Sequence, residues 1–355
     1  MFTNALVALV AAAAQPSAPQ GSPPAGAAGP VAAGEAPCAP DRYSVVMKLA
    51  ARLESSFVIE DVGKRYAQML RSNAKAGAYC QQPSSESFAA KVTADLQAIA
   101  PDAHLKLFAA APGGSGGAGA PAPGPPIEAA KMIAPGVAYI SFTAFPGDAA
   151  TVGAIHDFMK THSGAKALII DARNHAGGEQ NEIDALLTYL YEAPTVLLHQ
   201  EVRTPVANAG FIPTFKDGPT MRLKKATDQM VVREHFVVPH PTEKSFFDVP
   251  VYLLTSKKSA SAAEHLALAL KRTGRATIIG ETTAGAGHFG VFINYREGFA
   301  SFVPAGRTYD PETGESWEGK GIEPDVPVPA GKALDEALRR IAAGKDAKRA
   351  ARAGK

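Results

Sequence analysis

Two rhythms of apolar and polar positions divide the chain. Between Asp41 and Ala100, apolar residues recur at three- and four-residue steps: Val45, Leu49 and Leu53, then Val62, Tyr66, Met69 and Leu70, then Phe88, Val92, Leu96 and Ile99. That spacing lines one face of a helix. It predicts three short helices packed as a small N-terminal bundle over residues 41–110. From residue 128 the grammar changes. The runs "GVAYISF" (136–142), "AKALIIDAR" (165–173), "PTVLLHQEVRT", "VPVYLLTS" and "ATIIGE" are short and apolar, as buried strands are. Between them lie "AATVGAIHDFMKTH", "NEIDALLTYLY" and "AAEHLALALKRT", each with helical periodicity, the last closed by Gly274 as its C-cap. Strands alternating with helices predict an α/β domain over 128–340. Residues 205–248 interrupt the alternation and read as a hairpin insertion over one face. No internal repeat is present.

The remaining segments carry little periodicity. Residues 15–40 and 111–127 are rich in Pro, Ala and Gly and read as linkers. Residues 1–14 hold an apolar run, Ala5 to Ala14, which at about ten residues is too short to span a bilayer. It suits the apolar core of a secretory leader, although no Lys or Arg precedes it. Export to the periplasm or the exterior is therefore expected, and no other stretch offers a membrane span. Export also suits a disulfide between the two cysteines, Cys38 and Cys80. Residues 341–355 form a basic tail, read as frayed and solvated. A net charge of +2 gives no broad basic field for nucleic acid. The nine histidines form no HExxH pair, so neither a metal nor a cofactor is expected.

Four short features carry chemistry. In "LLTSKKSASAAEHLALALKRTG", Ser261 falls in the first turn of a helix, where unpaired N–H groups and the helix dipole favour negative charge. Glu264 follows by three, so Ser261 also fits a plain capping box. In "IIDARNHAGGE" an apolar strand ends at Asp171 and leads to the pair Gly177–Gly178, where backbone amides can approach a ligand closely. "PDAHLKL" places His104 just after the helical bundle. "SWEGKGIEPDVPV" sets Glu318 beside the only Trp. Each alone has a bland reading: a cap, a turn, a surface histidine, a loop.

Together and in order, "D-x-H-L", "I-I-D-A-R-N-x-x-G-G", "T-S-x-x-S-A-S-A-A-E", "G-R-A-T-I-I-G-E-T-T-x-G" and "W-E-G-x-G-I-x-P-D-V" resemble the C-terminal processing peptidases and their relatives, the tricorn core and interphotoreceptor retinoid-binding protein. The resemblance covers about residues 42–340. It implies a crotonase-like core of stacked β-β-α units and a serine peptidase acting on peptide or protein. It implies Ser261 as nucleophile, with an oxyanion hole from the amide of Gly177 or Gly178 and that of Ala262.

Two departures stand out. The Ser–Lys dyad of the processing peptidases would need a lysine at position 286, which is alanine, and no lysine lies between Lys271 and Lys320. The interval where those peptidases carry a PDZ domain is only a short linker. The tricorn-like branch resembles this chain better. It implies His104 as base and Glu318 as the carboxylate that orients it, a sound arrangement since imidazole has a near-neutral pKa. His288, two residues beyond Ala286, is an alternative base. His175 lies within the Gly-Gly turn, and His265, on the helix, reads as packing. A non-proteolytic carrier of lipid- or retinoid-like molecules is the alternative on the same fold. Acyl-CoA chemistry would need neither the helix-borne serine nor export. The sequence assigns no oligomeric state.

Overall fold

The computed structural model describes residues 39–109 and 124–345. The leader, most of both linkers, Cys38 and the end of the basic tail lie outside them. In chain order the elements are α1 (Pro40–Ser56), α2 (Glu60–Lys75), α3 (Ser85–Ile99), β1 (Lys106–Ala109), β2 (Ile127–Ala134), β3 (Val137–Phe142), α4 (Ala149–Thr161), β4 (Ala167–Asp171), α5 (Asn181–Leu187), β5 (Thr195–Arg203), α6 (Thr204–Asn208), β6 (Met221–Ala226), β7 (Met230–Val237), β8 (Val251–Thr255), α7 (Ala262–Arg272), β9 (Thr277–Gly280), β10 (His288–Tyr295), β11 (Phe299–Tyr309), β12 (Val326–Pro327) and α8 (Ala333–Ala342). No helix among the described residues is long and apolar enough to cross a membrane.

The central sheet runs β12-β9-β8-β4-β3-β2, parallel except for the β2–β3 hairpin. Its middle strands are mostly apolar because both faces are covered. Alternate residues divide between two cores. Leu168, Ile170 and Leu253 pack with Ile155 of α4, Leu186 of α5 and Leu266 of α7. Ile169, Tyr252 and Leu254 pack with Ala333 and Ala337 of α8. Parallel strands β4 and β8 are neighbours, so the loops leaving their C-terminal ends meet at one edge of the sheet, where open α/β sheets bind ligands.

The second sheet, β1-β11-β5-β7-β6 with β10 also on β11, is antiparallel. The insertion at 205–248 contains the hairpin β6–β7, and β7 bonds to β5, so it extends a sheet as well as crossing a face. The β10–β11 hairpin has no counterpart in the sequence reading. Gly290, Pro304 and Gly306 interrupt its apolar alternation, and a bulge sits between Phe289 and Gly290.

The three N-terminal helices bury the expected stripes, including Val45, Leu49, Leu53, Tyr66, Leu70, Phe88, Val92 and Leu96. That core does not close on itself. It continues through Leu105 and Leu107 into Tyr295, Phe299 and Val303 of the β10–β11 hairpin. The segment bearing His104 is thereby held against the sheet that carries His288. Cys80 is disulfide-bonded.

Candidate active site

The serine-rich loop between β8 and α7 assigns a different task to each hydroxyl. Ser259 Oγ donates to the Ala172 carbonyl at 2.7 Å and accepts from the Ser256 N–H at 2.9 Å. Ser256 Oγ donates to the Arg173 carbonyl at 2.5 Å and accepts from the Lys258 N–H at 3.0 Å. These two serines pin the loop to the turn that follows β4. Ser261 stands at the head of α7, where the Glu264 N–H donates to its carbonyl at 2.9 Å.

Ser261 is also the only described residue other than glycine with positive φ, at 55°. Such a backbone is costly for an L-residue and persists only where its surroundings impose it. Here the imposing group is Glu264. Its buried carboxylate accepts from the N–H of Ser261 (2.8 Å), Gly285 (2.6 Å) and Ala286 (2.8 Å) and from Thr283 Oγ1 (2.6 Å). The expected capping-box arrangement of Ser261 and Glu264 is present, and its carboxylate also ties the glycine-rich loop to the head of α7. Burial raises the Glu264 pKa even against those donors. Ala286, where the dyad lysine would stand, is buried, and its carbonyl accepts from Trp317 Nε1 at 2.9 Å.

The Gly177–Gly178 turn lies against this serine. Both glycines have positive φ, 110° and 133°. A Cβ on Gly177 would come within 2.7 Å of Ser261 Cβ, and one on Gly178 within 2.0 Å of the Phe145 carbonyl oxygen. Their amides differ. The Gly177 N–H donates to His175 Nδ1 at 2.9 Å. Among the described residues no partner takes the N–H of Gly178 or Ala262. Gly178, Ala262 and Ser261 line one cleft of about 1550 Å³, together with His104 and His288. His175 is fully buried between Phe142 and Phe145, and burial pushes its pKa down to about 3.

The histidine candidates reach the cleft from different directions. His104 packs at a tilt against Phe302, with ring centroids 5.0 Å apart, and its buried Nδ1 has no partner among the described residues. Burial lowers its pKa against the pull of Asp102 and Glu318. Glu318 reaches the backbone around both histidines rather than the His104 ring. It accepts from the N–H of Ala103 (3.1 Å), Gly287 (2.6 Å) and His288 (2.9 Å).

The carboxylate hydrogen-bonded to one of the two candidate bases is Asp102. Its Oδ2 lies 2.7 Å from His288 Nδ1, and its Oδ1 accepts from the N–H of His104 and Leu105. Burial pushes Asp102 up, but the bond and charge of His288 and the His104 N–H outweigh it, leaving the carboxyl below its ordinary range. Asp102, His288 and Glu318 offer ligand atoms within 4.8 Å of one another, and no other such trio occurs among the described residues. Their oxygens are already occupied by N–H donors.

Sequence reasoning missed Asp102. The D-x-H spacing gave a local hint, since an Asp that accepts from amides two and three residues on is a common turn. His265 was read as packing, whereas its Nε2 lies 2.8 Å from His235 Nδ1.

A serine hydroxyl at a helix head, two unspent amides beside it and imidazoles across the cleft, all on a crotonase-like α/β core, are the parts of an acyl-transfer site. The chain belongs to peptidase family S41, a family of serine peptidases, whose model matches residues 136–328. The N-terminal domain of that family in eukaryotic IRBP matches residues 41–135, directly adjoining.

Among solved structures, a lipoprotein from Streptococcus agalactiae is 14% identical, covers 86% of this chain and 98% of its own, and has a TM-score of 0.54. The photosystem II D1 C-terminal processing protease is 16% identical, with 86% and 98% coverage and a TM-score of 0.51. These two share the fold. Mature CPAF complexed with lactacystin is 19% identical over 58% of this chain, at a TM-score of 0.44, and the match spans 50% of the length of CPAF.

Proposed function

We propose that this chain is an exported serine peptidase that cleaves peptide bonds through an acyl-enzyme on Ser261. The observation that carries the reading is the Ser261 hydroxyl held at the head of α7 against the Gly177–Gly178 turn, on a strained backbone. Ser261 Oγ attacks the peptide carbonyl. His104 takes its proton and returns it to the leaving amine. The developing oxyanion is met by the amides of Gly178 and Ala262. Gly178 is preferred over Gly177 because His175 already occupies the Gly177 N–H. Water, activated by the same imidazole, then hydrolyses the ester. Burial favours a neutral His104, and its unpartnered Nδ1 leaves the ring free to accept the serine proton. Glu318 supports the base by holding the Ala103 amide. The leader-like segment and the disulfide at Cys80 support export.

One observation favours a second assignment of the base. The Asp102–His288 contact fixes one imidazole nitrogen on a buried carboxylate, as in a Ser-His-Asp triad. In that version His288 takes the proton and His104 lines the cleft.

Labelling with an alkyl phosphonate fluorophore tests both levels. Wild-type protein should take one label, lost in Ser261→Ala. Labelling by His104→Ala should slow by about two orders of magnitude or more, and by His288→Ala much less. The reverse order moves the base to His288. No labelling of folded wild type, with Ser261→Ala still binding an apolar ligand, replaces the enzyme by the carrier reading.

A further inference from the structure

The cleft contains a second built polar feature, apart from the groups assigned to bond cleavage. His265 lies one helical turn beyond Ser261 on α7. Its Nε2 is 2.8 Å from Nδ1 of His235, on β7. The other nitrogen of His235, Nε2, is 2.7 Å from Asp184 Oδ1, on α5. Thr220 Oγ1 donates to Asp184 Oδ2 at 2.6 Å. Three elements distant in sequence thus deliver one Asp–His–His chain. His235 is fully buried and His265 nearly so.

The direction of the hydrogens follows from the ends. An ionised Asp184 only accepts, so His235 presents Nε2–H to it. In the tautomer that leaves His235 Nδ1 bare, that nitrogen takes the Nε2–H of His265. The remaining nitrogen, His265 Nδ1, is left as an acceptor, and among the described residues it has no partner. Burial holds His265 neutral, well below the ordinary histidine range. Both oxygens of Asp184 have partners, so the free acceptor of the chain is His265 Nδ1.

Apolar side chains supply part of the surroundings. Ala262, Ile183, Val238 and Trp317 line the same cleft, and so does Met221, the cross-strand partner of His235; the polar groups Gln180, Thr188 and Gln200 line it too. The rings of Trp317 and His265 lie 6.4 Å apart. A buried polar chain of this kind is no more stabilising than apolar packing of the same volume. Ending at a cleft, it has a use that packing lacks. Apolar walls with one fixed acceptor suit an aromatic body carrying a hydroxyl.

We propose that this part of the cleft is a recognition pocket for a tyrosine side chain of the peptide substrate, whose phenol O–H donates to His265 Nδ1. Asp184 and His235 act as positioning residues that set the His265 tautomer. The proposal rests on the peptidase reading for its substrate class.

The test uses matched peptides carrying Tyr or Phe on either side of the scissile bond, with the whole protein, in buffer above the usual histidine range. Two ratios are measured: kcat/KM for Tyr over Phe, and the corresponding Kd ratio by calorimetry on Ser261→Ala. Wild type should favour Tyr by roughly tenfold or more in kcat/KM, with a Kd ratio of similar size. His265→Leu should bring both ratios to about one while still cleaving the Phe peptide. Asp184→Asn, nearly isosteric, should lower the preference without abolishing cleavage. Equal handling of Tyr and Phe by wild type, or an unchanged ratio in His265→Leu, overturns the pocket. If neither peptide is cleaved and Ser261 takes no phosphonate, the peptidase reading fails, and the Kd ratio still decides the pocket.

Discussion

Replacing His175 by asparagine should make stability less sensitive to acid. His175 is fully buried against Phe145, with its Nδ1 accepting from Gly177 and its Nε2 unpartnered among the described residues. A proton there would be a buried charge without a counter-ion, which is why the pKa falls to about 3. In the unfolded chain the same ring titrates near its ordinary pKa, so below about 6.5 the unfolded state binds more protons and stability falls with pH. One pKa unit is about 1.4 kcal/mol, so this residue removes about 2 kcal/mol between neutrality and about pH 5, and about 4 kcal/mol by about pH 3, where the folded ring is half protonated. Asparagine can still accept from Gly177 but does not titrate. Urea midpoints of both proteins at about pH 7 and pH 5 give the comparison. The difference between the two losses should be about 2 kcal/mol, since every other group is common to both. Parallel pH dependences would refute the account of a buried neutral imidazole.

With His104 as base and its pKa lowered by burial, kcat/KM should stay flat through neutrality and fall only below about pH 6.5, because the base must be unprotonated in the free enzyme. A midpoint above that value in a pH–rate profile would exclude this ring. Gly178→Ala should lower kcat by on the order of 10²–10³, since its Cβ would displace the Phe145 carbonyl and with it the oxyanion amide. Phosphonate labelling rates measure the loss, and an unaffected rate would remove Gly178 from the site. Glu318→Gln replaces an acceptor for three amides by a group with one acceptor oxygen and should cost about 2 kcal/mol in thermal or urea unfolding.

The elements that follow local rules were legible in the sequence. Strands β3, β4, β8 and β9 are mostly apolar because both faces are buried, and the stripes of α1 to α3 repeat at helical steps. Ser261 and the Gly-Gly turn were marked by their positions at the ends of β8 and β4. The pairings that complete the site were not legible, because they cross long intervals without any periodic trace. Asp102 meets His288 across 186 positions. His235 meets Asp184 across 51 positions, and only the register of β7 brings it to α7. The β10–β11 hairpin escaped notice because Gly290, Pro304 and Gly306 spoil the alternation that usually betrays a strand. Glu264 was visible as a cap but not as the anchor of a loop twenty residues away.

The backbone of Ser261 has a consequence for how such a chain could drift. Glycine would occupy φ 55° with less strain than serine, so conformational energy favours losing the side chain. A lineage with no use for the hydroxyl would become more stable by discarding it, at the cost of a single codon. Serine at this position is thus a standing expense in folding energy, one that Ser261→Gly would relieve.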